Sequence, residues 1–204
     1  MAEIMDYVNS VLIGGMLMLN VLSANQMATE THSVYSGDVL VQEMLITAAQ
    51  YVEGEFRNMG FGVSELSQVV LQADSTKIAF LIDLDRDGGF LDTVRYWLGA
   101  TSDLSGTMNP HDRYLYRSAN GGARVAIGAV TQFGLRYLAT NGENLTSPVD
   151  TDRLSEIRQV EISLEVQNPY AMLDNTTAGA EQNTGLFSSS YWQQTRLASQ
   201  NLRR

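Results

Sequence analysis

The chain has 204 residues, of which 44% are hydrophobic and 18% are charged. This length fits one domain of ordinary size, and the composition excludes disorder as a description of the whole chain. Because 13 Lys and Arg stand against 23 Asp and Glu, the formal net charge is -10, which argues against binding to nucleic acid. The absence of Cys excludes disulfides, thiolate catalysis and cysteine-ligated metals.

A very long helix is predicted at the start of the chain. Residues 3–59 contain no Pro, and apolar residues recur through them at helical spacing. The pattern indicates one continuous helix or two helices in line. A continuous helix would extend roughly 85 Å at ~1.5 Å per residue, so part of it is expected to protrude or to be covered by other chains. Between its halves, residues 31–38 include Gly37 and predict a kink or a melted turn.

The first third of this helix, residues 7–22, is apolar around nearly its whole circumference, which is typical of a helix buried on all sides. The run is shorter than the ~20 residues that span a membrane, and it contains Asn9 and Asn20. Packing against other helices is therefore favoured over a plain membrane anchor. The expected assembly surface consists of Glu3, Asp6, Tyr7, Val11, Leu12, Gly14, Gly15, Met18, Leu19 and Leu22.

The second half of the helix, residues 38–60, is amphipathic and is expected to pack on a sheet. Its apolar stripe consists of Val41, Leu45, Ala48, Ala49, Val52, Phe56 and Met59. Gly60 and Gly62 are expected to end the helix. The sequence thus predicts a hydrophobic protruding helix over residues 1–37 and a globular head over residues 38–204.

After residue 62 the apolar period changes from 3.6 to 2, which indicates β-strands. Strands are predicted at residues 77–83, 94–98, 113–118, 123–130, 133–137 and 159–167, and a final extended piece at 191–202. Asn120-Gly121-Gly122 is a strong hairpin signal. The last long strand is expected to have one solvated face, and residues 168–190 are expected to form a long surface loop. The predicted fold class is α+β, a long N-terminal helix packed on an antiparallel β-sheet head.

An acidic segment is the sharpest local motif. Asp83, Asp85 and Asp87 alternate before Gly88, and Asp92 follows. Such spacing matches the opening of a calcium loop, although Val94 occupies the position of the usual bidentate Glu. Asp92 is the candidate for the missing ligand. Two interpretations stay open, a Ca²⁺ site and a solvated acidic turn, and calcium is the one cofactor that the sequence suggests.

Enzymatic activity has little support in the sequence. His32 and His111 lie far apart, and no phosphate-binding loop or nucleophile elbow is present. Glu53 and Glu55 are two positions apart on a helix and are expected to point apart, so paired acid–base chemistry is not predicted. The chain is expected not to be an enzyme.

Several segments together resemble the type IV pilins and type II secretion pseudopilins, in particular the heads of W-type minor pilins and J-type pseudopilins. They occur in the family's order across about residues 38–204: DLDRDGG (83–89), DTVRYWL (92–98), LYRSANGG (115–122), VAIGAVTQFGLRYLA (125–139), IRQVEISLEV (157–166) and the closing WQQTRLASQNLRR (192–204). The family's leader signature is absent. Glu3 or Asp6 is expected to stand in for the family's N-terminal glutamate and to pair with a neighbouring subunit's terminal amine.

The resemblance implies a structural subunit of an extracellular, cell-surface, pilus-like filament that polymerises through its N-terminal helix. Its expected partners are copies of itself and the pilus or secretion assembly machinery, with a membrane involved only transiently before assembly. Two alternatives stay open. The chain could be a minor or tip pseudopilin of a type II secretion or type IV pilus system, or a calcium-dependent module that binds a surface through residues 168–190.

Overall fold

The computed structural model describes residues 2–65, 69–107, 109–168 and 190–202, and it describes the side chains of these residues except those of 2, 3, 190 and 200. The predicted α+β class is confirmed: within these described residues, one long helix precedes nine strands in two antiparallel sheets. Most of the predicted loop at 168–190 lies outside the described residues.

Helix α1 is continuous from Ala2 to Arg57, so a melted turn at residues 31–38 is wrong, and the predicted kink stays a prediction. The hydroxyls of Thr29 and Thr31 donate to the carbonyl oxygens of Asn25 and Met27, one turn earlier, at 2.9 and 2.7 Å. This bonding satisfies the Thr side chains within the helix, so their polarity does not interrupt it.

The helix ends where glycine lets the chain turn against the sheet. Gly60 adopts a φ of 77°, and its N–H donates to the carbonyl oxygen of Leu81 at 2.9 Å. A Cβ on Gly60 would come within 2.9 Å of a Val69 methyl group. The left-handed conformation and the close approach both require glycine, which confirms the predicted helix end.

The first sheet has the order β1-β2-β3-β4-β5, and the second has the order β7-β6-β8-β9. All neighbouring pairs are antiparallel. The predicted hairpin is confirmed between β4 and β5, with Asn120 and Gly121 at positive φ. The strands are β1 (Val70–Ala73), β2 (Lys77–Ile82), β3 (Asp92–Leu98), β4 (Arg113–Ala119), β5 (Val125–Val130), β6 (Gln132–Leu138), β7 (Asn144–Leu145), β8 (Gln159–Gln167) and β9 (Ser190–Leu197).

The core lies between the second half of α1 and both sheets. All seven residues of the predicted stripe, from Val41 to Met59, are buried. The ring of Phe56 packs at 5.2 Å from that of Phe80 on β2 and at 5.5 Å from that of Tyr96 on β3. These contacts hold the head end of the helix, and the rest of α1 extends beyond the head.

The face of β8 that was expected to be solvated is only partly so. Ser163 and Glu165 are half-buried, and the side chain of Glu161 is only 7% exposed because Arg136 on β6 and Arg196 on β9 flank it at 3.2 and 2.9 Å. Asn168, expected to open a surface loop, is fully buried. The final extended piece is β9 followed by a short 3-10 turn at Gln200–Leu202.

Candidate functional site

The N-terminal part of α1 is an apolar rod without cover from its own head. Every large apolar side chain from Ile4 to Leu22 is exposed, over a range from 49% for Val8 to 75% for Met18. No heavy atom lies within 4 Å of where a Cβ on Gly14 or Gly15 would be. Asp6 is exposed on the same rod, whereas the side chain of Glu3 lies outside the described residues. The proposed assembly residues thus lie along one helix, and their role stays a prediction.

Covering this rod would release a large free energy. Burying a half-exposed Leu, Ile or Met side chain is worth about 1 kcal/mol, so the rod as a whole represents on the order of 10 kcal/mol. The exposed side chains surround the helix, and one flat partner could cover only part of them. The rod therefore needs an environment that encloses it, either several neighbouring helices or lipid.

Length and composition alone do not separate these two environments. An 18-residue window of the helix has a mean hydropathy of 1.5 and none of it is buried, which meets the criteria for a membrane-spanning helix. A signal sequence near an N-terminus meets the same criteria. The prediction that the apolar run is too short for a plain anchor rests on its 16 residues and on Asn9 and Asn20.

The exposed apolar surface continues from the rod to the head. Ala24, Met27, Tyr35, Val39 and Leu40 are exposed apolar residues along α1 between the rod and the head. Tyr35, Val39 and Leu40 are 69, 65 and 52% exposed, although they alternate with residues that face the core. Where α1 meets the head, one side of the helix thus packs on the head and the other side stays exposed.

The junction between rod and head is fixed by Asn168 at the end of β8. Its Nδ2 donates to the carbonyl oxygen of Val34 at 3.1 Å and to Oδ1 of Asp38 at 2.7 Å. A Cβ on Gly37 would lie 2.5 Å from Oδ1 of Asn168, so only glycine allows this approach. Gly37 therefore admits the side chain of Asn168 to the surface of the helix.

A buried ion pair connects the helix to the first sheet. The Arg117 guanidinium donates to both carboxylate oxygens of Glu55, with contacts from 2.6 to 3.0 Å, and the Tyr96 hydroxyl donates to the same carboxylate at 2.5 Å. The side chains of Arg117 and Glu55 are only 14 and 15% exposed. Burial, reinforced by the Glu55 charge, raises the pKa of Tyr96 far above its ordinary value. The hydrogen bond from Arg117 to Glu55 raises the pKa of the guanidinium.

Glu53 makes the matching connection to the second sheet. Its Oε1 accepts hydrogen bonds from Thr195 at 2.7 Å and Gln193 at 3.0 Å, both on β9. The expected divergence of Glu53 and Glu55 is therefore observed, and it lets different sides of one helical turn bind two different sheets. The sequence offers one signal for this role, since both carboxylates flank the buried stripe, but it does not identify the partners.

The acidic segment forms a turn closed by its own carboxylates. Asp83 is buried, and its two oxygens accept hydrogen bonds from the N–H groups of Arg86 and Gly88 at 2.8 and 3.0 Å. Asp92 accepts the Leu84 N–H at 3.1 Å and the side-chain amide of Asn120 at 2.5 Å.

The two remaining carboxylates of this segment differ in their contacts. Asp87 accepts the Gly89 N–H at 2.7 Å, and Asp85 is exposed. Within the described part of the chain, no group of three or more His, Cys, Asp or Glu is placed to hold a metal ion. Calcium binding stays a prediction.

No protein-family model matches the chain, and no curated protein sequence matches it. Among solved structures it is similar to a type IV-like pilin from Thermus thermophilus, at 12% identity and a TM-score of 0.48, over 80% of this chain and 98% of that one. The arrangement seen here, a long N-terminal helix packed on antiparallel sheets, is the α+β architecture that the sequence predicted.

Proposed function

We propose that the chain is a structural subunit of an extracellular, pilus-like helical filament, in which the rods of many copies bundle along the axis and the heads form the outer wall. The observation that carries this proposal is the rod itself, a helix with every large apolar side chain from Ile4 to Leu22 exposed. Enclosure by copies of the same rod removes this surface from water without another partner.

Polymerisation follows from the shape of this contact. The rod is a cylinder that offers apolar surface in all directions, so one rod can contact several neighbours at different heights. A contact between different patches of two copies that does not close into a ring generates an open helical filament. The exposed side chains of Tyr35, Val39 and Leu40 give the neighbouring rods further apolar surface at the level of the head.

The charge of the helix fits enclosure by protein better than permanent attachment to a membrane surface. The first cationic side chain along the chain is Arg57, at the head end of α1. Stable interfacial helices commonly carry Lys and Arg that interact with anionic lipid. We therefore assign lipid a transient role before assembly, with export and assembly performed by a pilus or secretion machinery.

The experiment compares four forms of the chain by negative-stain electron microscopy and sedimentation. The full-length chain and a Leu71→Lys variant are expected to form fibres, since Leu71 lies on β1 of the head and is 44% exposed. A truncated chain that starts at Ser36 and a Leu19→Lys variant are expected to form none. The truncation leaves the buried stripe intact, because that stripe begins at Val41.

Leu71→Lys is the matched control, because it introduces the same charge at an exposed apolar site outside the rod. Fibres from the truncated chain would contradict the proposal, since assembly would then not need the rod. Fibres that form only when other subunits are added would contradict the homopolymer and favour the minor-subunit alternative.

A further inference from the structure

A cleft of about 480 Å³ lies where the two sheets meet, away from the rod and from the acidic turn. Its walls come from the β1–β2 turn at Ser75 and Thr76, from the start of β4 at Arg113, and from β6, β8 and β9. The Leu135 N–H donates to the Ser75 carbonyl oxygen at 2.8 Å and fixes the turn against β6. The cleft is thus a built feature of the head, and its volume lies in the range of small-ligand pockets.

Arg113 is the unusual residue of this cleft. Its Nε is buried and has no hydrogen-bond partner, and within the described residues its side chain has no ion pair either. Buried polar groups are nearly always paired, and an arginine can present Nε together with a terminal nitrogen as a fork that fits a carboxylate. Within the described residues no acceptor satisfies this donor, and a carboxylate that enters the cleft and draws the guanidinium toward it would supply one.

The charges around the cleft favour an anion. Among the described residues that line the cleft, the charged side chains are those of Arg113, Arg136 and Glu161. Glu161 is already matched by Arg136 at 3.2 Å and by Arg196 at 2.9 Å, and these contacts, with that of Arg196 first, lower its pKa. A local excess of positive charge thus surrounds the cleft in a protein whose net charge is -10.

The other polar groups of the lining suit hydroxyl groups. Ser75, Thr76, Ser163, Gln132 and Gln194 bring hydroxyls and primary amides to the cleft, and each of these groups both donates and accepts hydrogen bonds. Such a set pairs well with the hydroxyl groups of a sugar.

Gly134 lies on the β6 wall of the cleft. The nearest heavy atom to a Cβ built there is that of Ser163, at 3.6 Å, so a larger side chain at this position would extend into the open space.

We propose that this cleft binds a small ligand with one carboxylate and several hydroxyl groups, the chemistry of a uronic acid, and that Arg113 binds its carboxylate. The same chemistry occurs in a free acidic monosaccharide and at the end of an acidic polysaccharide. The site belongs to the head and does not depend on whether the rod polymerises.

The test is isothermal titration calorimetry on the full-length chain in mild detergent. D-glucuronate is expected to bind, whereas D-glucose, which lacks the carboxylate, and acetate, which lacks the hydroxyls, are expected to bind at least about tenfold more weakly. Arg113→Gln is expected to weaken glucuronate binding by about tenfold or more. Arg95→Gln, at an exposed position on β3 outside the cleft, is the matched control and is expected to bind as the unmodified chain does.

A second variant tests the open space of the cleft rather than the charge of Arg113. Gly134→Leu adds a large side chain to the β6 wall of the cleft and is expected to abolish glucuronate binding while leaving the melting temperature within a few degrees of the control. If Gly134→Leu unfolds the head, the affinity of Arg113→Gln for glucuronate is the test of the proposal. A glucuronate-terminated oligosaccharide distinguishes the sources: tighter binding than the monosaccharide indicates a polysaccharide end, and weaker binding indicates a free acid.

Two results would overturn the proposal. One is the absence of a glucuronate signal up to about 10 mM, beyond the range of a weak specific site. The other is binding that Arg113→Gln leaves unchanged, since the carboxylate would then lie elsewhere on the protein.

Discussion

The Glu55–Arg117 ion pair makes a quantitative prediction about how the helix is held on the head. Replacing Glu55 by Ala leaves the Arg117 guanidinium, only 14% exposed, without its acceptor. Removing one partner of a buried pair costs about 3 kcal/mol, because the remaining charge is uncompensated. The Tyr96 hydroxyl loses its acceptor as well, which adds about 1 kcal/mol. We expect Glu55→Ala to lower the free energy of unfolding by about 3–4 kcal/mol, a large part of a typical domain's stability.

The assay is urea unfolding of the truncated chain that starts at Ser36, followed by circular dichroism. A double variant, Glu55→Met with Arg117→Met, removes both charges and is expected to recover most of the loss, since well-packed apolar groups replace buried pairs at little cost. Glu156→Ala is the matched control: its pair with Arg153 is exposed on both sides, and its loss is expected to cost less than about 1 kcal/mol. A cost for Glu55→Ala as small as that control would refute the reasoning.

Three further predictions concern the junction, the second sheet and the acidic turn. Gly37→Ala forces Asn168 to move, and we expect urea unfolding to show a loss of about 1–3 kcal/mol; no loss would contradict the close approach. The pKa of Glu161 is lowered from 4.5, so its ionised form stabilises the fold above that pH. The difference in melting temperature between the unmodified chain and Glu161→Gln should be constant near neutral pH and shrink as the pH falls below 4.5. A difference that does not depend on pH would contradict the stabilisation of the fold by ionised Glu161. Calcium should raise the melting temperature of the unmodified chain but not of Asp85→Ala, and the absence of a shift in the unmodified chain would remove calcium from the account.

Periodicity predicted the parts of the fold whose signal is local. The seven-residue stripe of α1 is buried as expected because helical spacing alone assigns those positions to one face. The β4–β5 hairpin formed where Asn120 and Gly121 permit positive φ. Alternation does not tell which strands share a sheet, so one sheet was expected where there are two. Strands β1 and β7, of four and two residues, are too short to show a period.

The long-range contacts could not be predicted from the sequence. Glu55 and Arg117 are separated by 62 positions, and Asn168 and Val34 by 134. Nothing in the neighbouring residues identifies these partners, because they are brought together only by the docking of helix and sheets. The rod was predictable because it lacks a polar face, whereas the cleft at Arg113 depends on five strands that meet at one place.

The most direct measurement of the central claim is the environment of Leu12 in the assembled protein. The chain contains no Cys, so Leu12→Cys and Leu71→Cys each accept a single nitroxide label. Electron paramagnetic resonance on fibres should show spin–spin broadening between copies at position 12 and protection from a water-soluble relaxant, with neither effect at position 71. A label at position 12 that water or lipid reaches freely in the assembled state would contradict the account.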